Sequence, residues 1–175
     1  LEAEIRAQLE KTPGDPDLLF SLGNALYDQG RRQEAQSNFE KAVALKPDFV
    51  KAMVNLGVVL NESGKSEEAL KYFESALAVS PKDVTVICNK GQALYALQKY
   101  SQAVELYQKG IQLDSNAQLP HYLLGVAFAD AGIYREAIVE WEKVVQIDPK
   151  TEAATTATEG IKVLRTLLPK EEQAK

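Results

Sequence analysis

The chain has 175 residues, of which 45% are hydrophobic and 26% are charged, and its formal net charge is -5. This composition fits one soluble domain that buries a core, and it argues against a disordered or a fibrous protein. Since no basic run is longer than Arg31-Arg32, nucleic acid is not an expected partner.

The longest apolar run, Leu123 to Ala129, is far shorter than the roughly 18 residues that indicate a membrane span, so direct membrane insertion is not expected. The first residues, LEAEIRAQLEK, lack both an initiator Met and an apolar signal-peptide core. We therefore expect the chain to be an interior segment of a longer sequence. The sequence does not fix a compartment, and the cytoplasm is expected only by default.

The first predicted element is a helix within residues 1–14, with Leu1, Ile5 and Leu9 on one face and Pro13 at its end. Four segments of one pattern follow it. Their predicted bounds are residues 15–48, 49–82, 83–116 and 117–150.

The four segments share a period of 34 residues. A glycine in each segment is followed twelve residues later by an alanine and four residues further on by an aromatic residue. A proline closes three of the segments, and Ser115 takes its place in the third. The glycines are Gly23, Gly57, Gly91 and Gly125, the alanines Ala35, Ala69, Ala103 and Ala137, and the aromatic residues Phe39, Phe73, Tyr107 and Trp141.

Each segment is predicted to be a helical hairpin. Leu19, Leu22 and Leu26 have the spacing of one helical face, and Ala35 and Phe39 begin a second such face. Glycine inside a helix costs about 1 kcal/mol relative to alanine. We attribute the glycine column to close approach of the two helices, with the aromatic residue filling the adjacent space.

The turn between the two helices carries Gly30, Gly64 and Gly132, which suit a left-handed helix stop. The third segment lacks this glycine and has Gln98, where a left-handed conformation would cost about 1 to 2 kcal/mol. It also departs from the pattern at Lys90, Gly110 and Ser115. We predict this segment to be the least stable of the four.

After Pro149 the 34-residue register is lost, since Glu159 stands where the next glycine would fall. Ala157, Ile161, Leu164 and Leu168 still share one face, so residues 151–168 are predicted to be a helix that covers the last apolar surface. Residues 169–175 are expected to form a polar tail.

The repeated pattern resembles the tetratricopeptide repeat (TPR) family, whose signature has small, aromatic and proline residues in these columns. The resemblance implies an all-α, right-handed superhelical α-solenoid of stacked helix-turn-helix repeats. In this register residues 1–14 are the second helix of a truncated repeat, and residues 1–168 form a single array. The family places the first helices of its hairpins along a concave groove.

By this register, the groove should expose aromatic and amide side chains that suit a peptide. The candidate peptide-binding residues are Phe20, Asn24, Tyr27, Asn55, Asn89, Tyr95 and Tyr122.

Two interpretations of the asparagines stay open. Family members that bind extended peptides use an asparagine ladder in the column of Asn55 and Asn89, but asparagine there can also hydrogen-bond locally between helices. Asn24 and Asn55 also match the asparagine columns of the clamp that binds chaperone tails. The basic columns of that clamp hold Phe20, Thr85 and Asn89 instead, so binding of a terminal carboxylate is disfavoured.

Catalytic chemistry finds little support in the sequence. The single histidine, His121, falls in a core-facing column, the single cysteine, Cys88, has no histidine in register, and Trp141 stands in the aromatic column. No phosphate loop, metal spacing or nucleophile elbow is present. We therefore expect no catalytic activity, cofactor or metal.

The sequence predicts a scaffold that binds a peptide or a partner protein, extended or helical, in its groove. Two alternatives are a structural array that self-associates through its ends into a homo-oligomer, and an auxiliary domain of a larger protein or enzyme.

Overall fold

The computed structural model describes residues 1–169. Within these residues the chain forms ten α-helices and no strand, the architecture of an all-α helical repeat solenoid. The helices are α1 (Glu2–Lys11), α2 (Pro16–Asp28), α3 (Arg32–Leu45), α4 (Val50–Glu62), α5 (Ser66–Val79), α6 (Val84–Ala96), α7 (Tyr100–Leu113), α8 (Gln118–Asp130), α9 (Tyr134–Ile147) and α10 (Glu152–Leu167).

Side-chain caps fix the start of three helices. The Asp15 carboxylate accepts hydrogen bonds from the backbone nitrogens of Asp17 (2.9 Å) and Leu18 (3.1 Å), and Pro16 occupies the first turn of α2. Asp83 caps α6 and Thr151 caps α10 in the same way. Each cap pairs amide donors that a helix N-terminus leaves without an intrahelical partner.

Left-handed residues end the first helix of the hairpins, as the sequence predicted. Gly30, Gly64 and Gly132 have φ values of 76°, 77° and 75°. Gln98 adopts a φ of 60° at the equivalent position of the third hairpin. Because a side chain disfavours this conformation, the third hairpin carries local backbone strain that the glycine turns avoid.

Aromatic side chains lie directly on the helical glycines. A Cβ atom added to Gly57 would lie 2.5 Å from Cε1 of Phe73, and one added to Gly23 would lie 2.5 Å from Cε1 of Phe39. At Gly125 the same atom would lie 2.4 Å from the Trp141 ring. At Gly23, Gly57 and Gly125 the role predicted for the glycine column is confirmed, since there is no room for a side chain.

The chain divides into two compact units, a first unit of Leu1–Leu97 and a second unit that begins at Gln98. Each has its own core. That of the first unit includes Leu26, Phe39, Leu56, Leu60 and Phe73. That of the second includes Ala137, Trp141, Val144, Ala157 and Ile161. The single array with the repeat bounds given above stays a prediction.

The last helix also places a glycine against an aromatic ring, but the ring belongs to the preceding helix and not to a helix that follows the glycine. Ala157, Ile161 and Leu164 of α10 are buried. Gly160, one residue after the position that the 34-residue period marks, faces Trp141: a Cβ there would lie 2.4 Å from Cζ3 of the ring. Of the predicted polar tail at residues 169–175, only Pro169 lies within the described residues.

Candidate functional site

A half-buried face runs along the first helices of the hairpins in the first unit. It is formed by side chains of α2, α4 and α6 that are next to the buried core positions around each helix. Because they lie at the edge of the core, each is partly covered and partly open to solvent. We call this set the first-helix face. It consists of Phe20, Asn24, Tyr27, Val54, Asn55, Val58, Asn89, Gln92 and Tyr95.

Asn24 and Asn55 form a side-chain hydrogen bond between neighbouring first helices. The Nδ2 atom of Asn55 donates to Oδ1 of Asn24 at 2.7 Å. An amide side chain carries two N–H donors and an oxygen with two lone pairs, so the pair keeps donors on Asn24 and acceptor capacity on Asn55. A backbone peptide unit needs one acceptor for its N–H and one donor for its C=O, and this pair can supply both.

A second polar contact ties α2 to α4 at the far end of the face. The Tyr27 hydroxyl donates to Oε1 of Glu62 at 2.7 Å, and Arg32 donates from Nε to Oε2 of the same carboxylate at 3.1 Å. The hydrogen bond to Glu62, assisted by partial burial, raises the pKa of Tyr27 to about 12. The phenol therefore stays protonated at neutral pH and its ring is held in place.

A small cavity of about 70 Å³ opens between these two contacts. Its lining comes from three helices of the first unit. The residues are Tyr27, Phe39, Asn55, Val58 and Val59.

The other predicted residues are distributed over both units. Phe20 packs within the first unit, its ring centroid 5.0 Å from that of Phe49 and 5.9 Å from that of Phe39. Asn89 and Tyr95 lie half-buried on α6. Tyr122 belongs to α8 of the second unit, where its backbone oxygen accepts a hydrogen bond from Nε1 of Trp141 at 3.1 Å. Six of the seven candidates thus lie in one unit.

The Asn24–Asn55 bond is the local contact between helices that the sequence left open for the column of Asn55. The sequence predicted neither Asn24 as the partner nor the contact between Tyr27 and Glu62. The bond between Asn24 and Asn55 joins residues 31 positions apart, and that between Tyr27 and Glu62 joins residues 35 positions apart. Both separations are close to the period of 34, the signal from which such contacts could have been inferred. Arg32 and the buried Val59 were not among the predicted residues.

The second unit has a larger groove of its own, of about 550 Å³, between α7, α8 and α9. Ile111, Leu124, Phe128 and Val139 supply its apolar surface. Glutamine, arginine, lysine and glutamate side chains complete the lining. The sequence did not predict this groove.

The residues that the sequence assigned to packing are packed. His121 is 2% exposed, with Nδ1 2.6 Å from Oε2 of Glu140 and Nε2 3.2 Å from the backbone oxygen of Ser115. Cys88 is buried, and burial raises the pKa of its thiol to about 12, so it stays a neutral thiol.

Two further features of the described residues concern metal ions and membranes. Within residues 1–169, no three His, Cys, Asp or Glu side chains gather as a metal site would require. None of the helices in that range combines the length and apolar character needed to cross a membrane.

Comparison with known protein families matches residues 4–84 to the tetratricopeptide repeat and residues 91–132 to the TPR repeat. The chain belongs to the tetratricopeptide repeat family. Its fold is therefore that of a protein–protein interaction scaffold. Among curated proteins, the comparison found no match.

Solved structures of the same fold are similar over most of the chain. A MamA chain from Desulfovibrio magneticus, which begins at its residue 41, is 24% identical, with a TM-score of 0.73 over 86% of this chain and 85% of that chain. TTC0263, a thermophilic TPR protein of Thermus thermophilus, is 19% identical, with a TM-score of 0.79 over 91% and 88%. YrrB, a TPR protein with an unusual peptide-binding site, is 21% identical, with a TM-score of 0.66 over 97% and 86%. At these identities the likeness concerns the fold.

Proposed function

We propose that the protein is a non-catalytic scaffold that binds an extended segment of a partner protein along the first-helix face. The observation that carries the proposal is the Asn24–Asn55 pair, which offers a donor and an acceptor from two adjacent helices. An extended segment has unpaired N–H and C=O groups on both edges, so its backbone is the natural complement of these amides.

The surroundings of the pair support the same function. Phe20, Tyr27 and Val58 supply partly exposed apolar surface beside it. Such surface next to a few oriented polar groups is typical of a peptide-binding site. Asn89 and Tyr95 extend the proposed site along α6, and Tyr122 stays a prediction for the surface of the second unit.

The proposal is tested by selecting random peptides displayed on phage against the full chain and measuring their affinities by isothermal titration calorimetry. A net hydrogen bond contributes about 0.5 to 1.5 kcal/mol. Changing Asn55 and Asn89 together to alanine should therefore weaken binding roughly ten- to a hundredfold.

The matched control is the exposed pair Glu68 and Lys71 on α5. Changing both to alanine should leave affinity unchanged. If the asparagine double variant binds as tightly as the parent while the α5 variant binds more weakly, the first-helix face is not the binding surface. Light scattering across concentrations tests the alternative of a self-associating array, which requires mass that grows with concentration in the absence of any peptide.

A further inference from the structure

The cavity beside Asn55 has an apolar interior. Phe39 and Val59 are each 1% exposed and form its floor. Tyr27 and Val58 are half-buried and stand at its opening. Since its lining is mainly aromatic rings and valine side chains, an aliphatic group gains more from entering it than a polar group does.

The walls of the cavity are held before any ligand arrives. The Tyr27 ring is fixed by its hydroxyl contact with Glu62, which Arg32 also binds. The Asn55 side chain is fixed by Asn24. A cavity whose walls are already ordered loses little conformational entropy on binding, and its shape can discriminate between ligands.

The volume limits what can enter. About 70 Å³ compares with the roughly 30 Å³ that one water molecule occupies in the liquid, so the cavity holds roughly two to three heavy atoms. The valine side chain, with three carbon atoms, has this size, whereas the single carbon of an alanine side chain would leave most of the cavity empty. An aromatic side chain exceeds it.

We propose that this cavity selects a small aliphatic side chain, valine, of the segment bound on the first-helix face. The inference rests on the proposed function, because the Asn24–Asn55 pair is what would hold the backbone of that residue. Side chains of an extended chain alternate in direction, so the residue whose side chain enters is flanked by residues that point away.

The test uses the full chain and capped peptides of the form acetyl-Ser-Ser-Xaa-Ser-Ser-amide, in which Xaa is glycine, valine, leucine or phenylalanine. Affinities are measured by NMR titration, with the side-chain amide signals of asparagine as the probe. The valine peptide should bind roughly ten- to fiftyfold more tightly than the glycine peptide. The phenylalanine peptide should bind no more tightly than the glycine peptide.

Val58→Ala enlarges the cavity and should move the tightest binding from the valine to the leucine peptide. Val54→Ala is the matched control, because Val54 lies one turn earlier on α4, is equally half-buried and does not line the cavity. It should keep the preference for valine.

The outcomes separate the two proposals. Equal binding of all four peptides, weakened by Asn55→Ala, would overturn the selection by the cavity while the proposed function stands. Binding that Asn55→Ala does not change, or no binding of any peptide, would overturn both.

Discussion

At the residue scale, the contact between Gly57 and Phe73 decides how closely α4 and α5 approach. Phe73 is 1% exposed, and its Cε1 atom would lie 2.5 Å from a Cβ at Gly57. A buried ring has little room to move, because protein interiors are packed as densely as organic crystals. The packing that this contact allows therefore stabilises the hairpin by more than the roughly 1 kcal/mol that glycine costs in a helix.

Gly57→Ala tests that balance. The substitution gains about 1 kcal/mol of helix propensity, but overpacking costs about 1 to 3 kcal/mol or more. Because Phe73 cannot withdraw, we expect a net loss of about 1 to 2 kcal/mol in the free energy of unfolding, measured by urea denaturation. Gly14→Ala is the control, since a Cβ there meets nothing within 4 Å. Equal stability of the two variants would show that the Phe73 ring moves to make room for the added Cβ atom.

At the element scale, the hairpins were predictable from the sequence because their determinants recur at fixed positions. Gly30 and Gly64 end first helices, and Phe39 and Phe73 fill the space above the glycines. A hydrogen bond of Asn55 to a neighbouring helix was one of the two interpretations left open, but its partner Asn24 was not predicted, because the pairing depends on how α2 and α4 lie side by side. The contact of Gly160 with Trp141 was missed because it joins α10 to the preceding helix α9, whereas the period predicts contacts between the two helices of one hairpin.

The turn at Gln98 gives a prediction for the third hairpin. Its φ of 60° is disfavoured for a residue with a side chain. Gln98→Gly relieves about 1 to 2 kcal/mol of backbone strain in the folded state. It also raises the conformational entropy of the unfolded chain, which costs about 0.4 to 1 kcal/mol of stability. We expect a net gain of about 0.5 to 1 kcal/mol in the free energy of unfolding, measured by urea denaturation.

Gly64→Gln places the same side chain in the equivalent turn of the second hairpin, where φ is 77°. It should destabilise the protein by a similar amount. A loss of stability in Gln98→Gly would mean that the glutamine side chain supports the turn.

The first helix is tied to its neighbours by a carboxylate whose effect depends on pH. Glu2 accepts hydrogen bonds from Gln29 at 3.0 Å, Arg6 at 2.9 Å and Arg31 at 3.0 Å. These contacts, led by Gln29, lower the pKa of Glu2 from 4.5 to about 2. A lowered pKa in the folded state means that ionised Glu2 stabilises the fold above pH 4.5 and that this contribution is lost as the pH falls towards 2.

Glu2→Gln should therefore lower the melting temperature slightly at pH 7, as followed by circular dichroism. The difference from the parent should shrink as the pH falls below 4.5. A difference that stays constant down to pH 2.5 would show that the ionised carboxylate contributes nothing to stability.

At the scale of the whole molecule, each unit has a core and a surface that could bind a partner. The first unit has the first-helix face, with the paired amides and a cavity of about 70 Å³. The second has the groove of about 550 Å³ between α7, α8 and α9. In the larger groove the Glu140 carboxylate lies 2.6 Å from Nδ1 of His121 and 3.3 Å from Nζ of Lys143. Its charge is therefore paired within the protein, whereas the Asn24–Asn55 pair keeps both donor and acceptor capacity. The size of the groove therefore favours the second unit as the binding site, whereas the oriented amides favour the first unit.

Hydrogen–deuterium exchange of the full chain, with and without a phage-selected peptide, tests most directly that the first-helix face is the binding surface. Amides that a ligand covers or rigidifies exchange more slowly. We expect added protection in α2, α4 and α6, with little change in α9. Protection confined to α7 and α9 would contradict the assignment and place the peptide in the groove of the second unit.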